Sequence, residues 1–290
     1  MKSGAEASSG VVCLTLDVEP DYGRTTTTKI LDRISPFLDW VAASRIPITA
    51  FVTGQLIAQR HPVVDQLLAA GVSVELHGHD HRAEGFGTLC DSHADEINCG
   101  TDAYVDRFGR VPAGYRAPAG VISAADIQLL ASLGYQYDSS VFPVRRKGRY
   151  DFSRFPRYPF RWTEPDLPEF PVGLLFPRIP AGLSFINLLG PTLAAALIRR
   201  AAQRIRVPYV VDGHFHNLFA DSAALATLPI GLRGLYAMGQ WSGGFPGFRS
   251  LVDRLRQAGV KLAGLHEIAT QNKATLPVVS LAAFESQAAP

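Results

Sequence analysis

Short apolar runs alternate with amphipathic segments along this chain, and the alternation predicts the architecture. Residues 11–18 read Val-Val-Cys-Leu-Thr-Leu-Asp-Val, an apolar run closing on an acid, which predicts a buried strand. A polar loop follows at 25–28, and then Ile30, Ile34, Phe37, Leu38 and Val41 recur at helical spacing. Residues 48–52 predict a second strand, 63–70 a second helix stopped by Gly71, and 72–76 a third strand. Strand–helix repeats of this kind imply parallel pairing through right-handed crossovers.

The rhythm continues with helices predicted near 91–108 and 123–133. It then breaks at 140–182, a stretch rich in Pro, Arg and aromatics that predicts long loops packed over one end of a barrel. Helices at 192–206 and 248–258 and strands at 208–212 and 261–263 complete the pattern. The expected organisation is an N-terminal tail over 1–10, a single α/β domain over 11–270 and a C-terminal tail over 271–290. One barrel fits better than two domains, because no linker-like composition divides the chain. The polar residues of interest also sit where strands end, the usual place for chemistry in such folds.

Composition narrows the function classes. The 290 residues are 47% hydrophobic and 19% charged, which suits an ordinary globular protein with a normal core. A net charge of +2 without a Lys/Arg run argues against a nucleic-acid partner. Cys13, Cys90 and Cys99 are odd in number and lack metal-type spacing, so they read as reduced thiols and the default location is cytoplasmic. Residues 1–10 carry no apolar leader segment, and no run of about twenty apolar residues predicts a spanning helix.

Two clusters carry candidate chemistry. The first is Glu75-Leu-His77-Gly-His79-Asp80-His81, directly after a predicted strand. His77 and His81 are four apart and can converge on one metal ion if the segment turns helical. Neutral imidazoles suit Zn²⁺ and its transition-series neighbours, and Glu75 and Asp80 are at hand to orient the ligands. The plainer alternative is a polar surface loop. The second cluster is Asp17-Val-Glu19, whose carboxylates strand alternation places on one face. Two such groups repel unless a cation or a proton lies between them. One can bind a metal while the other takes a proton from water; the plainer alternative is a strand-end turn before Pro20.

In this order, Leu14-Thr-Leu-Asp17-Val-Glu19, His77-Gly-His-Asp-His81 and Tyr115-Arg116-Ala-Pro118 resemble the motif series of the polysaccharide deacetylase family, carbohydrate esterase family 4 with the NodB-homology fold. The likeness continues through Gly134-Tyr-Gln-Tyr137-Asp138-Ser-Ser140 and Leu167-Pro-Glu169-Phe-Pro171, which resemble the branch found with bacterial exopolysaccharide biosynthesis. It spans roughly residues 11 to 268. The resemblance implies a distorted (β/α) barrel with a divalent metal, most simply Zn²⁺, at the C-terminal ends of its strands. It implies Asp17 as general base and His77 and His81 as metal ligands. Many members carry an aspartate directly after the base; Val18 stands there, so the carboxylate-ligand role passes to Glu19. His79, between the ligands, is expected to line the pocket. Arg116 matches the arginine that holds the catalytic aspartate, a pairing suited to a bidentate guanidinium. Asp138 matches the carboxylate that orients the acid histidine, and either His214 or His216 matches that acid.

The implied reaction is hydrolysis of an N-acyl amide, most simply N-acetyl, on an amino sugar of a glycan or a lipid-linked precursor. Aromatics at Tyr115, Tyr137, Phe142, Phe170, Phe176 and Trp241 can stack on sugar rings or fill a core. Residues 183–198 are apolar and precede Arg199, Arg200, Arg204 and Arg206, so they read either as a helix packed on the barrel or as a peripheral membrane contact. The rival readings are an amidase acting on a small non-sugar amide and a non-catalytic glycan-binding protein on the same fold.

Overall fold

The computed structural model describes residues 10–23, 27–81, 93–205, 207–271 and 275–282. Strands β1 (Val11–Val18), β2 (Ile48–Val52) and β3 (Ser73–Leu76) pair in parallel, with Asp17 opposite Phe51 and Phe51 opposite Glu75. Strands β4 (Gly114–Tyr115) and β5 (Tyr137–Asp138) extend the sheet in parallel. On the other side of β1 lie β12 (Tyr209–Val211) and β13 (Lys261–Leu262), also parallel to it.

Residues 140–182, expected as long loops, contain two antiparallel hairpins and two sheet strands. The hairpins are β6 (Arg145–Arg146) with β7 (Tyr150–Asp151), and β10 (Leu174–Phe176) with β11 (Ile179–Pro180). Strands β8 (Phe160–Trp162) and β9 (Pro168–Glu169) join the main sheet, β9 parallel to β5 and antiparallel to β8. These strands are two or three residues long, too short to show a period. Beyond β9, Val172 bridges to Val210, and the Gly173 N–H donates to the Val210 carbonyl at 2.9 Å. The sheet therefore curls round to β12 as a distorted (β/α) barrel. Within the segment read as a C-terminal tail, β14 (Val278–Val279) pairs in parallel with β8. Residues 1–9, 283–290 and Cys90 lie outside the described residues.

Strand alternation divides the side chains into two sets. Outward from β1, Val12, Leu14, Leu16 and Val18 are almost fully buried beneath the surrounding helices. Burying each of them contributes about 1.5–3 kcal/mol. Inward, Cys13 joins Phe51, Tyr137, Phe170, Val172 and Val210 in a second apolar cluster. Leu265 and Ile268 of helix α12 (Leu265–Gln271) close that cluster at the end remote from the site. The same inward file of β1 continues through Thr15 and Asp17 toward Glu19, so the barrel is apolar at one end and polar at the other.

The helices mostly follow the predicted pattern. Helix α1 (Ser35–Ser44) starts at Ser35, after a single 3-10 turn at Leu31–Arg33. Helix α2 (Gly54–Ala58) was not foreseen; α3 (Pro62–Ala69) is capped by His61, whose Nδ1 accepts from the Val63 N–H, and is followed by Gly71 at φ 83°. Helix α4 (His93–Phe108) is described from His93, and α5 (Ala124–Ser132) begins with a Ser123/Asp126 capping box. Next come α6 (Leu183–Leu189), α7 (Pro191–Ile205), α8 (Phe215–Leu218), α9 (Ser222–Ala226), α10 (Ile230–Ser242) and α11 (Gly244–Gln257). Of these, α8, α9 and α10 had no counterpart in the sequence pattern, and the apolar stretch read over 183–198 divides between α6 and α7 at Gly190.

Candidate active site at the mouth of the barrel

The C-terminal ends of β1, β3, β4 and β12 bring the predicted polar residues together. His77 directly follows β3, but the chain from His77 to His81 does not turn helical. Gly78 (φ 62°) and His81 (φ 49°) take left-handed conformations, and this tighter turn is what points both imidazoles inward, with ring centroids 5.3 Å apart. Glycine is required at 78, where a Cβ would sit 2.7 Å from the Pro118 ring. Glu96 of α4 holds the turn by accepting the N–H groups of His79 at 2.6 Å and Asp80 at 3.1 Å. His79 faces away from the cavity, with its Nδ1 packed beside Gly54. Its expected place in the pocket wall is therefore wrong, because the left-handed turn reverses the side between 77 and 81. Glu75 also serves elsewhere: its carboxylate accepts the Gly114 N–H at 2.8 Å.

Glu19, His77 and His81 form a compact donor set. His81 Nε2 lies 2.8 Å from Glu19 Oε2, and His77 Nε2 lies 3.7 Å from the same oxygen. His77 Nδ1 is 2.8 Å from the Arg116 carbonyl, which can only accept, so the proton belongs on Nδ1 and the lone pair of Nε2 faces Glu19. His77 Nε2 is buried without a hydrogen-bond partner, and Glu19 Oε2 has none beyond its pairing with the His81 ring. Such orphaned atoms are rare in folded proteins and call for a cation. The charges of these groups are set by one another. Burial alone would raise the Glu19 pKa, but the imidazoles of His81, His214 and His77 outweigh it and hold the carboxyl well below its usual range. Burial opposes a charged His81, but the adjoining Glu19 carries it up to about 9. The residues present thus fit a divalent cation. Glu19, His214 and His216 form a second three-donor group that shares the same carboxylate.

Arg116 organises the neighbouring carboxylates. Its guanidinium is fully buried and stacks 4.3 Å from the centre of the Phe51 ring. The expected bidentate pair with Asp17 is not what forms. A single nitrogen, NH1, donates to Asp17 Oδ1 at 2.9 Å, Asp212 Oδ1 at 3.1 Å and Thr15 Oγ1 at 2.8 Å. Nε and NH2 go to the carbonyl and hydroxyl of Ser139 at 3.0 and 2.9 Å. The guanidinium therefore joins three strands, and Asp17 Oδ2 is left facing His77 at 3.7 Å and His214 at 3.8 Å.

Asp138 does not orient a histidine. Ser139 points inward to Arg116, so alternation sends Asp138 to the opposite side of β5. There it accepts the Ser140 hydroxyl at 2.6 Å and meets Glu169 across the β5–β9 ladder. Asp212 is the carboxylate that faces His214. It alternates with His214 past the end of β12, by the same rule that pairs Asp17 with Glu19, and that signal could have found it. Burial first, and then the nearby Asp17 charge, push Asp212 up to about 6, against the pull of His214 and Arg116. The two late histidines differ. His214 is partly exposed; burial disfavours its charge, but Glu19, Asp212 and Asp17 outweigh that and raise its pKa. His216 is buried, with Tyr22 and Tyr236 ring centroids 5.1 and 5.0 Å away, and burial together with the His214 charge lowers its pKa well below the usual range.

Asp17, Glu19, His81, Asp212, His214 and His216 line a cavity of about 340 Å³ whose wall also includes Tyr22, Phe142, Arg146, Tyr150, Phe185 and Tyr236. Of the six aromatics proposed as stacking groups, Phe142 reaches this wall. Tyr115, Tyr137 and Phe170 are core, and Phe176 and Trp241 are exposed elsewhere. Tyr22, Arg146 and Tyr236 went unread because their segments carry no recognisable motif.

The polysaccharide deacetylase family model matches residues 4–137, which hold the Asp17–Glu19, His77–His81 and Tyr115–Pro118 motifs. No curated protein matches the chain in sequence. Among solved structures, a presumed polysaccharide deacetylase from Mycobacterium smegmatis aligns at TM-score 0.51 and 21% identity, over 91% of this chain and 96% of that one. A peptidoglycan N-acetylglucosamine deacetylase aligns at TM-score 0.52 and 13% identity, over 90% of both chains. A carbohydrate esterase family 4 pseudoenzyme from Bacillus anthracis aligns at TM-score 0.51 and 11% identity, over 91% of this chain and 66% of that one. The family model thus matches the part of the chain that holds these motifs, and the fold is that of the carbohydrate esterase family 4 structures. Since this fold also houses a pseudoenzyme, the case for turnover rests on the side chains of this site.

Proposed function

We propose that the chain is a metal-dependent hydrolase that removes an N-acyl group, N-acetyl in the simplest case, from an amino sugar of a glycan or glycan precursor. The observation that carries this reading is the buried His77 Nε2, without a hydrogen-bond partner and directed at Glu19 beside His81, next to a carboxylate that Arg116 grips by one oxygen only. Glu19, His77 and His81 hold the cation, and two imidazoles with one carboxylate suit Zn²⁺. A divalent cation, when bound, supplies Lewis acidity toward the acyl carbonyl and an attacking water. Asp17 accepts the proton of that water through Oδ2, while Arg116 fixes Oδ1. His214, on the cavity wall, donates a proton to the leaving amine, and Asp212 beside it favours its charged form. The amide C–N bond breaks to give a carboxylic acid and a free amine. His216 packs behind His214 and keeps its ring in place.

The motifs at 134–140 and 167–171 support a place in exopolysaccharide biosynthesis. The free thiols of Cys13 and Cys99 suit a cytoplasmic setting. The test is acetate release from N-acetylglucosamine oligomers by the zinc-loaded protein, together with its metal content. His77→Ala is expected to lose both metal and turnover. Full turnover without metal would overturn the reading, and metal retention without turnover on any amino sugar would favour a glycan-binding module.

A further inference from the structure

Helix α10 is built the wrong way round for a helix that faces water. Its outward stripe runs Ile230, Gly234, Met238 and Trp241 at helical spacing, and Ile230, Met238 and Trp241 are 83%, 54% and 93% exposed. Helix α6 packs against it, with Asn187 filling the space left by Gly239 and Gly243, and shows Phe185 and Leu188 at 41% and 42% exposure. Leu193, in the first turn of α7, is 48% exposed. Apolar groups gathered on adjoining helices in this way mark an interaction face.

Two further observations identify the occupant. Residues 183–205 and 222–252, which include all three helices, contain no Asp or Glu, whereas Arg199, Arg200, Arg204 and Arg233 lie exposed among them. A face both apolar and basic, with tryptophan at its surface, complements an anionic lipid interface. The face also borders the cavity, since Phe185 of α6 and Tyr236 of α10 belong to its wall. No helix among the described residues is long and apolar enough to cross a membrane, so contact of this kind is peripheral.

We infer that the α6–α10 face docks the protein on the surface of an anionic lipid bilayer, with the cavity mouth at the headgroups. Docking would present a lipid-borne amino sugar directly to the site; only that consequence rests on the deacetylase reading. Co-sedimentation of the full chain with phosphatidylglycerol-containing vesicles tests the inference, with pure phosphatidylcholine vesicles as the comparison. Binding is expected to the anionic vesicles and to weaken about fivefold for each exposed arginine replaced by glutamine. Ile230→Glu with Trp241→Glu should reduce binding tenfold or more, on the order of 1.4 kcal/mol or above, and leave hydrolysis of a soluble oligomer unchanged. Absence of binding to anionic vesicles, or equal binding by the double variant, would overturn the inference. So would a dimer in light scattering that the double variant dissolves, because a second copy would then be the occupant. Vesicle binding without any turnover would leave the docking face standing and count against the deacetylase reading alone.

Discussion

Two sets of buried carboxylates lie within a few strands of each other in this barrel, and Glu19 of one and Glu169 of the other are shifted in opposite directions. At the mouth, Asp17, Glu19 and Asp212 face Arg116, His77, His81 and His214, and Glu19 is held well below its usual pKa. On the far side of β5, Asp138 and Glu169 face the Ser140 hydroxyl, the Val141 N–H and each other. Burial, with the Asp138 charge added, pushes Glu169 well above its usual range, and burial also raises Asp138. Both sets are out of water, so burial does not distinguish them. The neighbouring charges do: imidazoles converging on desolvated Glu19 hold its pKa down, whereas the Asp138 charge beside desolvated Glu169 adds to burial and pushes it up.

Substitutions can break that comparison. The largest expected effect is at the mouth. Asp17→Asn should lower kcat by about 10²–10⁴-fold while the melting temperature stays near wild type, as steady-state acetate release and a thermal melt would show. Next is Arg116→Met, which leaves Asp17 and Asp212 as uncompensated buried charges and should cost about 3–5 kcal/mol in urea unfolding. Glu169 should respond far less. Glu169→Gln replaces a neutral acid by a neutral amide and should cost within about 1 kcal/mol; a loss as large as that of Arg116→Met would show that Glu169 is charged and the contrast false.

The smallest effect is one of pH. Burial pushes Glu75 from 4.5 up to about 7 in the fold, against the pull of the Gly114 N–H and of Arg110. The unfolded chain releases this proton near 4.5, whereas the folded chain keeps it to about 7. The fold thus binds more protons across that window and loses stability as pH rises through it. Urea melts across the window should show this decline for the wild type and a flatter profile for Glu75→Gln.

Much of the site was legible in the sequence. Asp17 and Glu19 share an inward file because strand alternation is local, and the His77–His81 cluster announces itself by composition. The errors have one physical origin. Asp138 was given a histidine to orient because the family resemblance matched it to that carboxylate, yet one residue along a strand changes the face, and Ser139 took the inward place. His79 failed likewise, when a left-handed turn replaced the expected helix. Asp212 was passed over although the alternation rule applied to it equally.

The parallel α/β pattern, the apolar and polar files of β1 and the shared face of Asp17 and Glu19 follow from residue order, since period and spacing are properties of short stretches. Which carboxylates meet cations, which histidine faces the cavity and where α10 turns its apolar stripe were decided only in three dimensions. Those outcomes depend on how the barrel closes through Val172 and Val210, and on contacts between segments a hundred residues or more apart, such as Arg116 NH1 with Thr15. Charge state in particular belongs to the assembled neighbourhood, because desolvation and Coulomb attraction act through space and not along the chain.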